Sequence, residues 1–164
     1  MQTIILNECL VGGSSPFATL SASDQARFGV SRAVFIGKPK DFKDAYLPQC
    51  SLWVPPRDEQ LQAIEMDGYV GRVTEEVEAI VTAYVDMRTD WYAGEQQILQ
   101  IRDALWQALL HHGKLGGTVA RVIESEAYEG LGFGYEQVPG IEYRIYEARW
   151  GVRQQWMLAG GRAV

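Results

Sequence analysis

His111 and His112 are the first residues in this chain whose types suggest metal chemistry. Adjacent positions on a helix project about 100° apart, so the two imidazoles cannot close on one ion as an i, i+4 pair could. Their place near a helix C-terminus has a simpler account, because an imidazolium there favours the negative end of the helix dipole. Gly130-Leu131-Gly132-Phe133-Gly134 resembles a phosphate-cradling loop. A cradle needs a strand before it and a helix N-terminus after it, and strand patterns flank this run on both sides. A hairpin loop presenting Phe133 and Tyr135 to another protein is the better reading. Glu76 and Glu78, like Glu124 and Glu126, stand at i, i+2, so each pair shares a strand face. Paired carboxylates do acid–base work when buried together, yet no nucleophile or histidine accompanies them in sequence. Cys50 lies among apolar residues and reads as core filling rather than as a nucleophile. No catalytic constellation emerges. The expectation is a protein that is not an enzyme and holds no cofactor and no metal.

The chain has 164 residues, 47% of them hydrophobic, and a net charge of −6. That length suits a single domain over residues 1–164 with a sizeable core. Net negative charge argues against a general nucleic-acid binder, which needs basic groups to neutralise phosphates. Residues 1–60 hold six acids and six bases, so the whole −6 belongs to residues 61–164. No apolar run reaches the ~18 residues of a membrane span. Two cysteines without C-x-x-C spacing point to a reducing compartment rather than a disulfide framework.

These residues need elements to position them. Ile4-Ile5-Leu6 starts either a strand or a single helical turn, and residues 23–29 form a short N-terminal helical segment. Short strands follow over 31–36 and 50–54, the second stopped by Pro55-Pro56, and residues 60–68 read as a turn or loop. Residues 72–88 alternate with period two over an unusual length. Val73, Val77, Ala79, Val81, Ala83, Val85 and Met87 line the core face, with Glu75 as the exception, and Thr74, Glu76, Glu78, Ile80, Thr82, Tyr84, Asp86 and Arg88 face water or a partner. The one long amphipathic helix covers about 95–112. Ile98, Ile101, Leu105 and Leu109 set its apolar stripe, widened by Leu99, Trp106, Ala108 and Leu110. Asp90 is a candidate for its N-terminal end. Residues 118–128 alternate again, 129–140 read as a long glycine-rich loop, and the last strand runs over 141–156. Its inward set shifts parity near Tyr146, which predicts a bulge. Residues 159–164 read as a frayed tail. Strands, one helix, then strands make an α+β fold, a mostly antiparallel sheet with the helix packed on one face.

The run Val34-Phe35-Ile36-Gly37-Lys38-Pro39, then Asp44-Ala45-Tyr46-Leu47-Pro48 and Ser51-Leu52-Trp53-Val54, resembles the opening of tail-terminator (tail-completion) proteins of long-tailed bacteriophages. The resemblance continues through the acidic strand from Glu75 to Arg88, the helix from Gln96 to Leu110 and the aromatic strand Tyr143-Arg144-Ile145-Tyr146-Glu147. It covers residues 30–156 by order of elements, and leaves residues 1–30 as an N-terminal arm or extra segment. It implies a virion protein of the tail and neck, assembled in the host cytoplasm. Its partners would be itself, as a homo-hexameric ring, the tail-tube protein and the head-neck connector protein, with DNA passing through without specific binding. On this resemblance Glu76, Glu78 and Asp86 are candidates for the lumen, where acidic charge repels phosphate. Lys40, Phe42, Tyr46, Tyr128, Phe133 and Tyr135 are candidates for subunit and tube contacts. Competing readings are another neck or head-completion ring protein and, from a different class, a small α+β enzyme or ligand-binding domain.

Overall fold

The computed structural model describes residues 1–37, 46–55, 64–67, 72–111, 121–124, 133–138 and 141–157. Helices α1 (Gln2–Glu8) and α2 (Ala22–Phe28) open the chain, followed by strands β1 (Val34–Ile36), β2 (Gln49–Trp53), β3 (Ile64–Asp67) and β4 (Arg72–Asp86). Helix α3 (Trp91–His111) and strands β5 (Arg121–Glu124), β6 (Phe133–Val138) and β7 (Ile141–Met157) complete an α+β fold. One sheet takes in all seven strands, in the order β1-β2-β4-β7-β5, with β3 added to β4 and β6 added to β7. Among the described strands only the β1–β2 pair is parallel.

The axis of the molecule is the ladder between β4 and β7, which runs from Arg72 opposite Met157 to Asp86 opposite Tyr143. At a rise of about 3.3 Å per residue β4 spans roughly 50 Å. The register is unbroken, so the expected bulge in the last strand is absent. The parity shift has another cause: Tyr143 is buried on one face of the sheet, while Tyr146, Ala148 and Trp150 are buried on the other. A strand that buries residues on both faces imitates a bulge in sequence.

The core forms on the face that carries Ala79, Val81, Ala83 and Val85, as the alternation predicts. Ile98, Ile101, Leu105 and Leu109 of α3, Ile5 of α1, and Cys50 and Leu52 of β2 pack against it, with Trp150 and Tyr146 the largest buried side chains. The opposite face of β4 departs from expectation, because Ile80, Thr82 and Tyr84 are buried there as well. Gln49 and Ser51 share that face by register and are also buried, and the Tyr84 and Tyr143 rings meet edge-to-face at 6.4 Å. A tyrosine counted as polar in an alternation carries an apolar ring that packs like any other.

Several boundaries also differ. The undecided Ile4-Ile5-Leu6 segment is helical, which places Ile5 and Cys9, one turn apart, both in the core. Helix α2 is capped by the Ser21 side chain, which accepts from the Asp24 amide, and ends at Gly29 in the left-handed region (φ 69°). The N-terminal residues are stitched into the domain: the Gln2 side-chain amide donates to the Val34 carbonyl at 2.9 Å, and the Ala18 amide donates to the Pro48 carbonyl at 2.9 Å. Phe17 from the same stretch is buried. Residues 64–67, read as loop, are β3, paired with Arg72–Glu75. Residues 133–138, also read as loop, are β6, paired with Ile141–Tyr146. Counting glycines and prolines overestimated that loop, since Gly134 pairs with Ile145 inside the ladder. Residues 125–132 and 159–164 lie outside the described residues.

Helix α3 begins at Trp91, four residues before the expected start. The Asp90 carboxylate accepts from the Ala93 amide at 3.0 Å and its carbonyl accepts from the Gly94 amide at 3.0 Å. Asp90 is therefore the N-cap. Trp91 and Tyr92 in the first turn are exposed, so they add nothing to an apolar period that could be read inward.

Candidate functional site

The three candidate lumen acids stand at even-numbered positions of β4 but not in one cluster. Glu78 lies near Arg149 of β7, with 3.9 Å between carboxylate and guanidinium, and Arg149 also approaches Glu147 at 3.7 Å. The result is a cross-strand charge row of two acids around one arginine. Glu76 stands opposite Arg153 in the backbone register. Asp86 lies eight residues from Glu78, about 26 Å along the strand. The buried Ile80, Thr82 and Tyr84 fall between them. Its carboxylate is held by Arg88, whose backbone amide donates at 2.9 Å and whose side-chain Nε donates to both oxygens at 2.8 and 3.0 Å. The Arg88 hydrogen bond holds the Asp86 pKa below the usual carboxylate value. Thus Glu78 and Asp86 each meet an arginine, and the acidic face is divided into two ends.

Of the candidate contact residues, Tyr46 donates its hydroxyl hydrogen to the Asp24 carboxylate and lies 3.2 Å from Ser21 Oγ. That ties the chain before β2 to the N-terminus of α2. Phe133 and Tyr135 lie in β6, opposite Tyr146 and Arg144 in register, rather than on a loop. Lys40, Phe42 and Tyr128 fall outside the described residues, as does His112.

Both cysteines are free thiols buried in the core. Burial pushes the Cys9 thiol up to about 12, and raises Cys50 further, with Cys9 nearby adding to the effect. Neither is a thiolate at neutral pH, which agrees with a packing role. Among the described residues no group of three or more His, Cys, Asp or Glu could hold a metal ion. Among them too, no helix is long and apolar enough to cross a membrane.

Two features of α3 were not read from the sequence. Glu95 reaches across to Arg144 of β7, carboxylate to guanidinium at 3.1 Å, and this partly buried pair pins the first turns of the helix to the sheet. Nothing in the spacing of residues 95 and 144 signals that contact, which exists only once β7 lies beneath the helix. Second, Leu99 and Leu110 are exposed rather than part of the core stripe. The signal for that was present. At 100° per residue Tyr92, Leu99 and Leu110 fall within about 20° of one another, diametrically opposite Ile101.

No family model matches the chain, and a search of curated proteins finds no relative.

Proposed function

We propose that the chain is a phage tail terminator. It assembles as a ring on the head-proximal end of the tail tube, stops tube polymerisation and offers the surface to which the head docks. The observation that carries this reading is the order and proportion of the elements. A short strand (Val34–Ile36) and a second short strand (Gln49–Trp53) precede a 15-residue charged strand, one 21-residue helix and a 17-residue closing strand that pairs along the whole of β4. This is the sequence of elements through which the resemblance runs. On this reading the protein acts by surface shape and charge, as a structural part of the virion and not as an enzyme.

The charged end of β4 supports a finer assignment. Glu76 and Glu78 lie in the half of the ladder away from Asp86, and residues 61–164 carry all of the chain's net negative charge. Acidic groups bordering a channel repel the phosphate backbone and let DNA slide past. Asp86, bound to Arg88 at the other end, is the weaker candidate of the three.

Negative-stain imaging of virions assembled without this protein tests the role directly. Overlong tails are the expected result. Tailless heads beside free tails of normal length would refute termination and point to another neck ring protein.

A further inference from the structure

Cys9 and Cys50 are the only cysteines of the chain, and both are free, fully buried and part of the one core cluster. They reach it from different elements. Cys50 lies in β2, opposite Ala83 of β4 on the core face and beside Val34 of β1 in register. Its amide donates to the Ala33 carbonyl at 2.8 Å. Cys9 closes α1, and its amide donates to the Ile5 carbonyl one turn earlier.

The segment that carries Cys9 is fastened at both ends to the immediate neighbours of Cys50. At its start, the Gln2 side chain donates to the carbonyl of Val34, the register partner of Cys50, at 2.9 Å. At its far side, the turn between Val11 and Ser14, with Gly12 and Gly13 both at positive φ, sends the chain back. Ala18 then donates to the Pro48 carbonyl and accepts from the Ala33 amide, each at 2.9 Å. Between these anchors Ile5 and Phe17 are buried in the same core as the two thiols. The two sulfurs sense each other's charge, because a thiolate at Cys9 helps hold the Cys50 thiol protonated.

We infer that Cys9 and Cys50 are partners for a disulfide that staples α1 to β2, open in reducing surroundings and closed in oxidising ones. The inference does not depend on the ring reading. The electron acceptor is a small disulfide of the glutathione class. One protein thiolate attacks it and displaces a first glutathione thiol, which leaves a mixed disulfide. The second cysteine then attacks the protein sulfur of that mixed disulfide, forming the Cys9–Cys50 bond and releasing a second glutathione thiol. The two protein thiols give up two electrons, and their protons end on the two glutathione thiols. Burial keeps both sulfurs protonated in the closed core, so the exchange runs on a chain in which α1 is undocked. Docking then brings the sulfurs together. Helix α1 suits that role, since it has seven residues and its N-cap Met1 makes no side-chain cap hydrogen bond. A helix so short holds its shape only while packed. The staple closes a loop of about 40 residues, and loops of that length gain much from cross-linking.

The test refolds the full chain from urea in buffers of fixed ratios of oxidised to reduced glutathione, followed by an acid quench. A mass loss of about 2 Da and a cross-linked Cys9–Cys50 peptide report the bridge. The same exchange is run to equilibrium in concentrated urea. Bridging and folding favour each other if the native core holds the sulfurs together. The equilibrium constant for the bridge against glutathione should then be at least about 100-fold larger in native buffer than in urea. The bridged chain should also unfold about 10 °C above the reduced one and lose that gain on adding dithiothreitol. Cys9→Ala, with a single thiol, should show neither the bridge nor the gain, and the comparison of native buffer with urea stands without any variant. A constant in native buffer equal to or below that in urea would overturn the inference, because the folded core would then hold the sulfurs apart. So would a midpoint that does not rise, or a folded chain that carries one glutathione on each cysteine.

Discussion

At Gly94 the first turn of α3 comes close to the end of β4 and the residue after it. A Cβ at this position would lie 2.3 Å from Met87 Sδ and 3.1 Å from the Asp86 carbonyl oxygen. The four-residue connection between β4 and α3 brings the helix back over the strand it has just left, and a glycine at position 94 lets the two approach closely. Gly94→Ala sets two effects against each other. In an unconstrained helix the change stabilises by about 1 kcal/mol. Here the new methyl overpacks a core contact, which costs about 1–3 kcal/mol. Met87 is long and flexible but buried, so it has little room to swing away, and the Asp86 carbonyl must also give by a few tenths of an ångström. The overpacking term should win, for a net loss of about 1 kcal/mol. Urea unfolding measures it. The decisive comparison adds Met87→Ala, which alone should cost about 2–4 kcal/mol for a buried methionine. In the double variant the clash with sulfur is gone, so the loss should be smaller than the sum of the single losses by about 1 kcal/mol or more. A Gly94→Ala chain more stable than the original would refute the reasoning, and so would strictly additive losses.

Two further outcomes follow from the titrating groups. A carboxyl whose folded pKa lies below its unfolded value adds stability above the unfolded value and loses it as pH falls through the folded one. Asp86, lowered chiefly by its hydrogen bond to Arg88, belongs to this class, so Arg88→Ala should destabilise the chain at neutral pH and flatten its acid dependence below about pH 4. The pair is partly exposed, so the loss should stay under about 1 kcal/mol, and an acid profile parallel to that of the unaltered chain would count against it. Cys9 and Cys50, raised by burial, should resist a thiol reagent at pH 8 in the folded protein and react fully in denaturant, as a colorimetric thiol assay would show. Prompt labelling of the native chain would mean the core around them opens readily.

The parts of the fold that could be read from sequence are those where one face does all the burying. Val81, Ala83 and Val85 alternate with residues on the other side, and Ile98, Ile101, Leu105 and Leu109 recur at helical spacing, so the long strand and the long helix were both legible. β7 was legible as a strand but misread in detail, because it buries Tyr143 on one face and Trp150 on the other. β3 and β6 were missed for a different reason. Each is short and acquires its structure by pairing with a long neighbour, and glycine and acid content hid the tendency. The acids of the candidate lumen were legible as a row, yet the arginines that meet them come from β7 and from the turn after β4, and so only appear once the ladder is formed.

The same physics separates what α3 does for the fold from what it does beyond it. Residues facing the sheet, such as Ile101 and Leu105, are fully buried, and truncating them should cost about 2–5 kcal/mol. Tyr92 is mostly exposed and Leu99 and Leu110 stand about half out of the protein, so polar replacements there should cost less than truncating the core residues, under about 1 kcal/mol. Folding therefore places a weaker demand for apolar side chains along that line than it does on the side facing the sheet.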